Sequence, residues 1–168
     1  KLFGQESAES LANATRILRQ HKVSAELSGR VLASISTMGY SKYLESIRPT
    51  TLEGKVVSDA DMCDAIGSQG LIRVFEYNAS KGRPFFNPAL PPIRAENSAD
   101  AYRASANEHA VQHFFDKLLK IPAILMTDSG KVEGAQRAEV MELFLKELFR
   151  EYGAEQWRDF MDTYATIK

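Results

Sequence analysis

Three aspartates fall within six residues, Asp59, Asp61 and Asp64, inside the segment EGKVVSDADMCDAIGSQGLIRVF that runs from Glu53 to Phe75. The segment is otherwise rich in apolar side chains. A carboxylate carried into such surroundings is costly unless hydrogen-bond donors, a cation or a metal ion compensate for its lost hydration. Read as a helix, the segment places Val57, Asp61, Asp64 and Ala65 at i, i+4, i+7 and i+8, so one stripe carries two carboxylates. Residues two apart differ by about 200° around the axis, so Asp59 and Asp61 cannot enter one pocket from an unbroken helix. Asp61 is the expected inward residue. A solvated or capping role, ordinary for Asp near helix starts, is the competing account of all three.

Other residues could carry chemistry. His109 and His113 stand four apart, a spacing that puts two imidazoles on one helix face and can bind a metal, although no Glu-x-x-His motif or Cys cluster accompanies them. Arg73 follows Asp64 by about two helical turns. Arg83 and Arg94 lie in a proline-rich stretch, where each could reach a phosphate or simply be solvated. Cys63, the single cysteine, excludes an internal disulfide and reads as core filler beside Asp61.

Helices must position these groups. Helical spacing of Leu11, Ala14, Thr15 and Leu18 predicts a first helix from Glu6 to about His21. A second starts at Ser24 as cap and runs to Met38, with Leu27, Val31, Ile35 and Met38 as its buried stripe and Gly39 as its stop. The pattern breaks from Tyr40 to Thr51, and Thr51 can cap the acidic helix. Gly67 and Gly70 imply a bend or a close helix approach before helix resumes from Leu71 to Tyr77. Four prolines make Lys81 to Asn97 an irregular loop. Ala99 to Lys120 reads as a helix ending before Pro122, with Val111, Phe114, Phe115, Leu118 and Leu119 facing the core. After the capping cluster Thr127 to Gly130, a long helix reaches about Tyr152 with Met141, Phe144, Leu145, Leu148 and Tyr152 on one stripe, and Gly153 stops it. Trp157, Phe160, Met161 and Tyr164 mark a short last helix that docks on the bundle or on a second subunit. No period-2 alternation is long enough for a sheet, so the expected fold is all-α.

With 168 residues, of which 44% are hydrophobic, the chain can build one core. Its 21 basic and 22 acidic residues give a formal net charge of -1, so no global field recruits a nucleic acid polymer or an anionic membrane. Any phosphate recognition must be local. No apolar run reaches 18 residues and no signal peptide is visible, which with the lone cysteine suits a cytoplasmic setting.

KVVSDADMCDAIGSQGLIRVFEY, followed by GRPFFNP and then by HAVQHFFDKLLKIPAILMTDSGK, resembles the HD superfamily of metal-dependent phosphohydrolases. Within it, the resemblance is to the small stand-alone hydrolases that carry a DAD-x-x-DAIG segment, and it extends in three ordered blocks to roughly Trp157. It implies an HD-domain-like helical bundle acting on a phosphate ester or anhydride, with nucleotides as the leading substrate. It also implies a divalent cofactor, Mn, Mg, Fe or Zn, which lowers the pKa of bound water and neutralises phosphoryl charge. The family's Asp preceded by Ala, which closes the metal site, corresponds to Asp61, with Asp59 as second choice. The HFFDKLLK block packs near the site in the family, which adds His113 and Lys117 to Arg73 and Arg83 as candidates for substrate phosphate; a structural hydrogen bond or ion pair competes for the first two.

The departures are specific. The family's other ligands, a His and an adjacent His-Asp pair, precede the DAD segment, yet this sequence has no His-Asp dipeptide, and the only His before Asp61 is His21, where the family places no ligand. A further His-containing segment of part of the family is here Met38 to Ser41, Met-Gly-Tyr-Ser. KLFGQES resembles the family's segment just after the His-Asp pair, so the expectation is a single HD-like domain over 1–168 without its N-terminal helices, the remaining ligands lying upstream. The alternative is a non-catalytic HD-like module used for binding or oligomerisation, and a homo-oligomer fits either account.

Overall fold

The structure, a computed structural model, describes residues 11–93 and 109–166. All regular elements among the described residues are helical, and the chain falls into two compact units, Lys1–Ser58 and Asp59–Lys168.

In the first unit α1 (Ala12–Gln20) packs on α2 (Ala25–Ser36) through a tight turn in which Lys22 takes a positive φ of 53°. Ser24 caps α2, its Oγ accepting the Leu27 N–H at 3.3 Å. The expected buried stripe of α2 is not buried: Leu27 and Ile35 are 47% and 41% exposed. Among the described residues, α1, the start of the next long helix and a short turn of helix share this unit with it, too few to enclose a full apolar stripe. Gly39, at φ 103°, stands before a short helix α3 (Tyr40–Leu44) rather than ending α2. Thr51 caps α4 (Leu52–Asp64) as expected, accepting the Gly54 N–H at 3.1 Å.

The second unit holds the end of α4, then α5 (Gly67–Ser80), α6 (Ala110–Asp116), a 3₁₀ segment (Leu118–Ile124), α7 (Asp128–Glu151) and α8 (Glu155–Thr166). Gly67 has φ 74°, and a Cβ there would meet the Arg137 side chain at 2.9 Å, so this glycine serves both the bend after α4 and the approach of α5 to α7. Helix α6 is shorter than the periodicity predicts. His109, extended, occupies its N-cap position without a side-chain capping bond, Lys117 leaves helical geometry, and the chain passes Pro122 as 3₁₀ helix, since Pro removes a donor that an α-helix would need. The portion of the predicted helix from Ala99 to Glu108 lies outside the described residues.

The core of this unit is aromatic. Trp157, Phe114 and Phe149 are fully buried, and the loop residue Phe86 stacks among Phe149, Trp157 and His109 at centroid distances of 5.4–5.8 Å. The proline-rich loop is tied down at Leu90 and Ile93. Trp157 Nε1 donates to the Leu90 carbonyl at 2.9 Å, and Gln112 both accepts from the Ile93 N–H and donates to its carbonyl. Along α7 the buried stripe is Gly130, Gly134, Ala138, Met141, Leu145 and Phe149. Met141 and Leu145 were expected there; Phe144 and Tyr152 are 37% and 56% exposed instead.

Candidate functional site

Local packing of α4 reverses the expected placement of its aspartates. Asp59, Met62, Cys63 and Ile66 face the core, whereas Val57 is 49% exposed and Asp61 and Asp64 are exposed. Apolar residues occur on two phases of this helix, and Met62, Cys63 and Ile66 carry more buried surface than the phase that includes Val57.

The buried carboxylate is fully used. Asp59 accepts the Met126 N–H at 3.0 Å, the Thr127 N–H at 2.7 Å and the Thr127 hydroxyl at 2.7 Å. Thr127 Oγ1 in turn caps α7, accepting the Gly130 N–H at 3.0 Å. A Cβ at Gly130 would lie 2.5 Å from Asp59 Oδ2, so glycine is needed for this approach. A negative charge at the first turn of α7 is also favoured by the helix dipole. Asp59 therefore fastens α4 to the start of α7. Beside it, Cys63 Sγ lies 3.9 Å from the Gly130 carbonyl, and burial pushes the thiol's pKa up, as suits a core residue and not a nucleophile.

On the outer side of α4, groups from three elements gather. Arg73 of α5 makes a 2.6 Å ion pair with Asp64. Lys117, at the junction of α6 and the 3₁₀ segment, is pushed below the ordinary lysine range by burial, while the Asp61 carboxylate opposes that shift and the Arg73 guanidinium adds to it. Lys117 thus lies within electrostatic reach of both. One turn back on α6, His113 is pushed down to about 4, first by burial and then by Lys117, so its imidazole is neutral at neutral pH.

Of the residues singled out from the sequence, Asp61, Arg73, His113 and Lys117 therefore share one neighbourhood, and Asp59 sits behind it in the core. Arg83 is exposed on the turn after α5, its backbone N–H bonded to the Asn78 carbonyl at 2.9 Å, and no ion pair ties its side chain to the cluster among the described residues. His109 is not paired with His113 on one helix face; it is buried against the rings of Phe86 and Trp157. Arg94 lies outside the described residues. Asp64 was legible as a neighbour of Asp61, but its pairing with Arg73 was not, because the partner lies beyond the bend at Gly67. Asp116, 5% exposed, was missed as well; it accepts from Gln112 at 2.7 Å, and the i, i+4 spacing of the pair was the available signal.

Two cations opposed by an exposed carboxylate can hold a phosphoryl group. They do not make a metal site. Among the described residues no three His, Cys, Asp or Glu side chains gather as ligands, Asp59 has both oxygens occupied, and of the exposed pair Asp61 and Asp64 the second is engaged by Arg73.

No protein-family model matches the chain. It is 31% identical over 127 residues to YpgQ of Bacillus subtilis, a match that takes in 75% of this chain and 53% of that protein, so the chain spans about half the length of this curated relative. Among solved structures, a Lactobacillus plantarum protein superposes with a TM-score of 0.75 at 32% identity, over 89% of this chain and 70% of that one. An HD-superfamily hydrolase from Bacillus thuringiensis gives a TM-score of 0.65 at 30% identity, over 92% and 68%. YpgQ solved in complex with ADP gives 0.61 at 26% identity, over 84% and 63%.

Proposed function

The chain belongs to the HD superfamily, and on that premise we propose that it acts as a metal-dependent phosphohydrolase on a phosphate ester or anhydride, with a nucleotide as substrate. The observation that carries the reading is the convergence of Asp61, Arg73 and Lys117 from separate elements on one outer face of the second unit. Lys117 supplies a partly desolvated point charge to a phosphoryl oxygen, and Arg73 a planar fork that a phosphate can share with or take from Asp64. Neutral His113, next to Lys117, is a hydrogen-bonding group on the same side. Arg83, at the loop edge, is the outermost candidate. The ADP complex of YpgQ supports the nucleotide class.

The described residues would contribute a single ligand to a divalent ion, Asp61. The rest would come from the share of the protein that lies beyond the 53% of YpgQ matched here. One observation favours the second reading, a non-catalytic HD module. Asp61 is exposed, so its presence costs little without a metal, and the argument that a buried carboxylate demands one falls on Asp59, which has protein donors.

Phosphate release from nucleoside di- and triphosphates with Mn²⁺ or Mg²⁺ separates the two. The hydrolase reading expects turnover that the ion supports and that Asp61→Ala removes with the fold unchanged. Absence of turnover with every nucleotide and ion, in a protein that also carries the His and His-Asp ligands of the family, favours the module instead.

A further inference from the structure

One side chain touches both arms of the corner between α4 and α5. Arg137 of α7 donates from Nη1 to the Cys63 carbonyl at 2.8 Å, the carbonyl of the peptide bond that joins Cys63 to Asp64. Its Nε donates to Glu133 Oε1 at 2.6 Å, so the guanidinium is held from its own helix while it reaches across. Its stem covers Gly67, where α5 opens: a Cβ there would lie 2.9 Å from Arg137 Cγ and 3.0 Å from its Cβ.

Core filling does not account for these contacts. Arg137 is half-buried beside the core stripe of α7 and is not part of it, and an uncharged side chain of the same length would cover Gly67 as well. What the guanidinium adds is a charged donor at the end of α4, where the last carbonyls lack partners within the helix and carry partial negative charge. The same Cys63 carbonyl accepts the Ile66 N–H at 3.2 Å, the bond that turns the chain out of α4. Arg73 stands about 9 Å beyond Gly67 along α5. A tilt of α5 by about 10° would move it by about 1.5 Å, some three times the tolerance of about 0.5 Å within which a binding group works. Asp64, on the other arm, follows the peptide that Arg137 holds.

Taking that face as the phosphate site read above, we propose that Arg137 is its positioning residue. It fixes the angle of the α4–α5 corner and so places Arg73 and Asp64, although it makes no bond to either side chain among the described residues.

Calorimetric titration of ADP into the full chain tests this, with circular dichroism to verify each fold and hydrogen exchange at the Ala65 and Ile66 amides as a readout that needs no ligand. Arg137→Met keeps the stem and removes the donors. It should weaken ADP binding roughly tenfold and speed exchange of those two amides by a similar factor, while the Thr127 and Gly130 amides, at the other fastening of α4, keep wild-type rates. Arg137→Lys restores a charged donor and should recover most of the affinity. In an Arg73→Met background Arg137→Met should weaken ADP no further, because its effect passes through Arg73, whereas general damage would lower affinity in both backgrounds. Glu133→Gln, an exposed change that only loosens the guanidinium, should weaken ADP about threefold and decides the matter if Arg137→Met does not fold. A wild-type chain that binds no ADP overturns the phosphate site and this assignment with it. If the wild type binds, equal affinity for Arg137→Met, an equal loss in both backgrounds, no recovery in Arg137→Lys, or unchanged exchange at Ala65 and Ile66 overturns the role of Arg137 alone.

Discussion

Asp59→Ala tests the division of labour between the two aspartates of the DAD segment. The side chain is 3% exposed and accepts from two backbone N–H groups and one hydroxyl, all within 3.0 Å. Hydrogen bonds to a charged group contribute about 1.5–3 kcal/mol each, but Met126 and Thr127 are only half-buried, so water can replace part of what is lost. The expected destabilisation is about 3–4 kcal/mol, a shift of roughly 2 M in the urea midpoint for a domain of this size. Thr127→Ala should cost less, about 1–2 kcal/mol, since it removes the hydroxyl and the cap of α7 but leaves the backbone donors in place. The double variant should cost clearly less than the sum, because the two side chains share a hydrogen bond. Urea unfolding followed by circular dichroism gives all three values. A loss below about 1 kcal/mol for Asp59→Ala, with divalent-ion binding abolished, would refute the reasoning and make Asp59 the ligand.

Acid should weaken the fold through His113. Its folded pKa, about 4, lies below the ordinary 6.5, so the stability gained by keeping it neutral is complete above pH 6.5 and is lost as pH falls through 4. The ceiling is about 3 kcal/mol, and His113→Gln should flatten the acid limb of a stability-against-pH curve; an unchanged limb counts against the burial of this imidazole. At the other end, Tyr164 is raised to about 12 by burial first and then by Glu142 and Asp116. Its contribution is complete below pH 10 and lost as pH rises through 12, so Tyr164→Phe should move base unfolding upward, and identical base titrations would contradict this. Gly67→Ala combines a left-handed backbone at φ 74° with a clash against Arg137 and should lower stability by about 1–3 kcal/mol; a neutral result in thermal unfolding would mean that the bend relaxes freely.

Much of the fold was readable because amphipathic helices announce themselves. The caps Ser24, Thr51 and Thr127, the stop at Gly153 and the core face Val111, Phe114, Phe115, Leu118 and Leu119 all stand where spacing and residue type put them. The α4 phase was not readable, because whether Asp59 or Asp61 turns inward depends on Met126 and Thr127, donors 67 and 68 residues away. A periodicity cannot register partners at that distance. The same limit hid Phe86, a loop residue whose burial depends on Phe149 and Trp157. For the candidate site, resemblance named Asp61, His113 and Lys117, and the tertiary structure added Asp64 as the partner of Arg73.

Calorimetric titration of ADP into the wild-type chain and into Lys117→Met tests most directly whether Asp61, Arg73 and Lys117 form one phosphate site. Met keeps the length and apolar stem of the side chain and removes only its charge, so the helix junction should survive. The account predicts at least about tenfold weaker binding for Lys117→Met, with the difference shrinking as salt is raised. Equal affinity for the two proteins, or binding that is insensitive to salt, would contradict it.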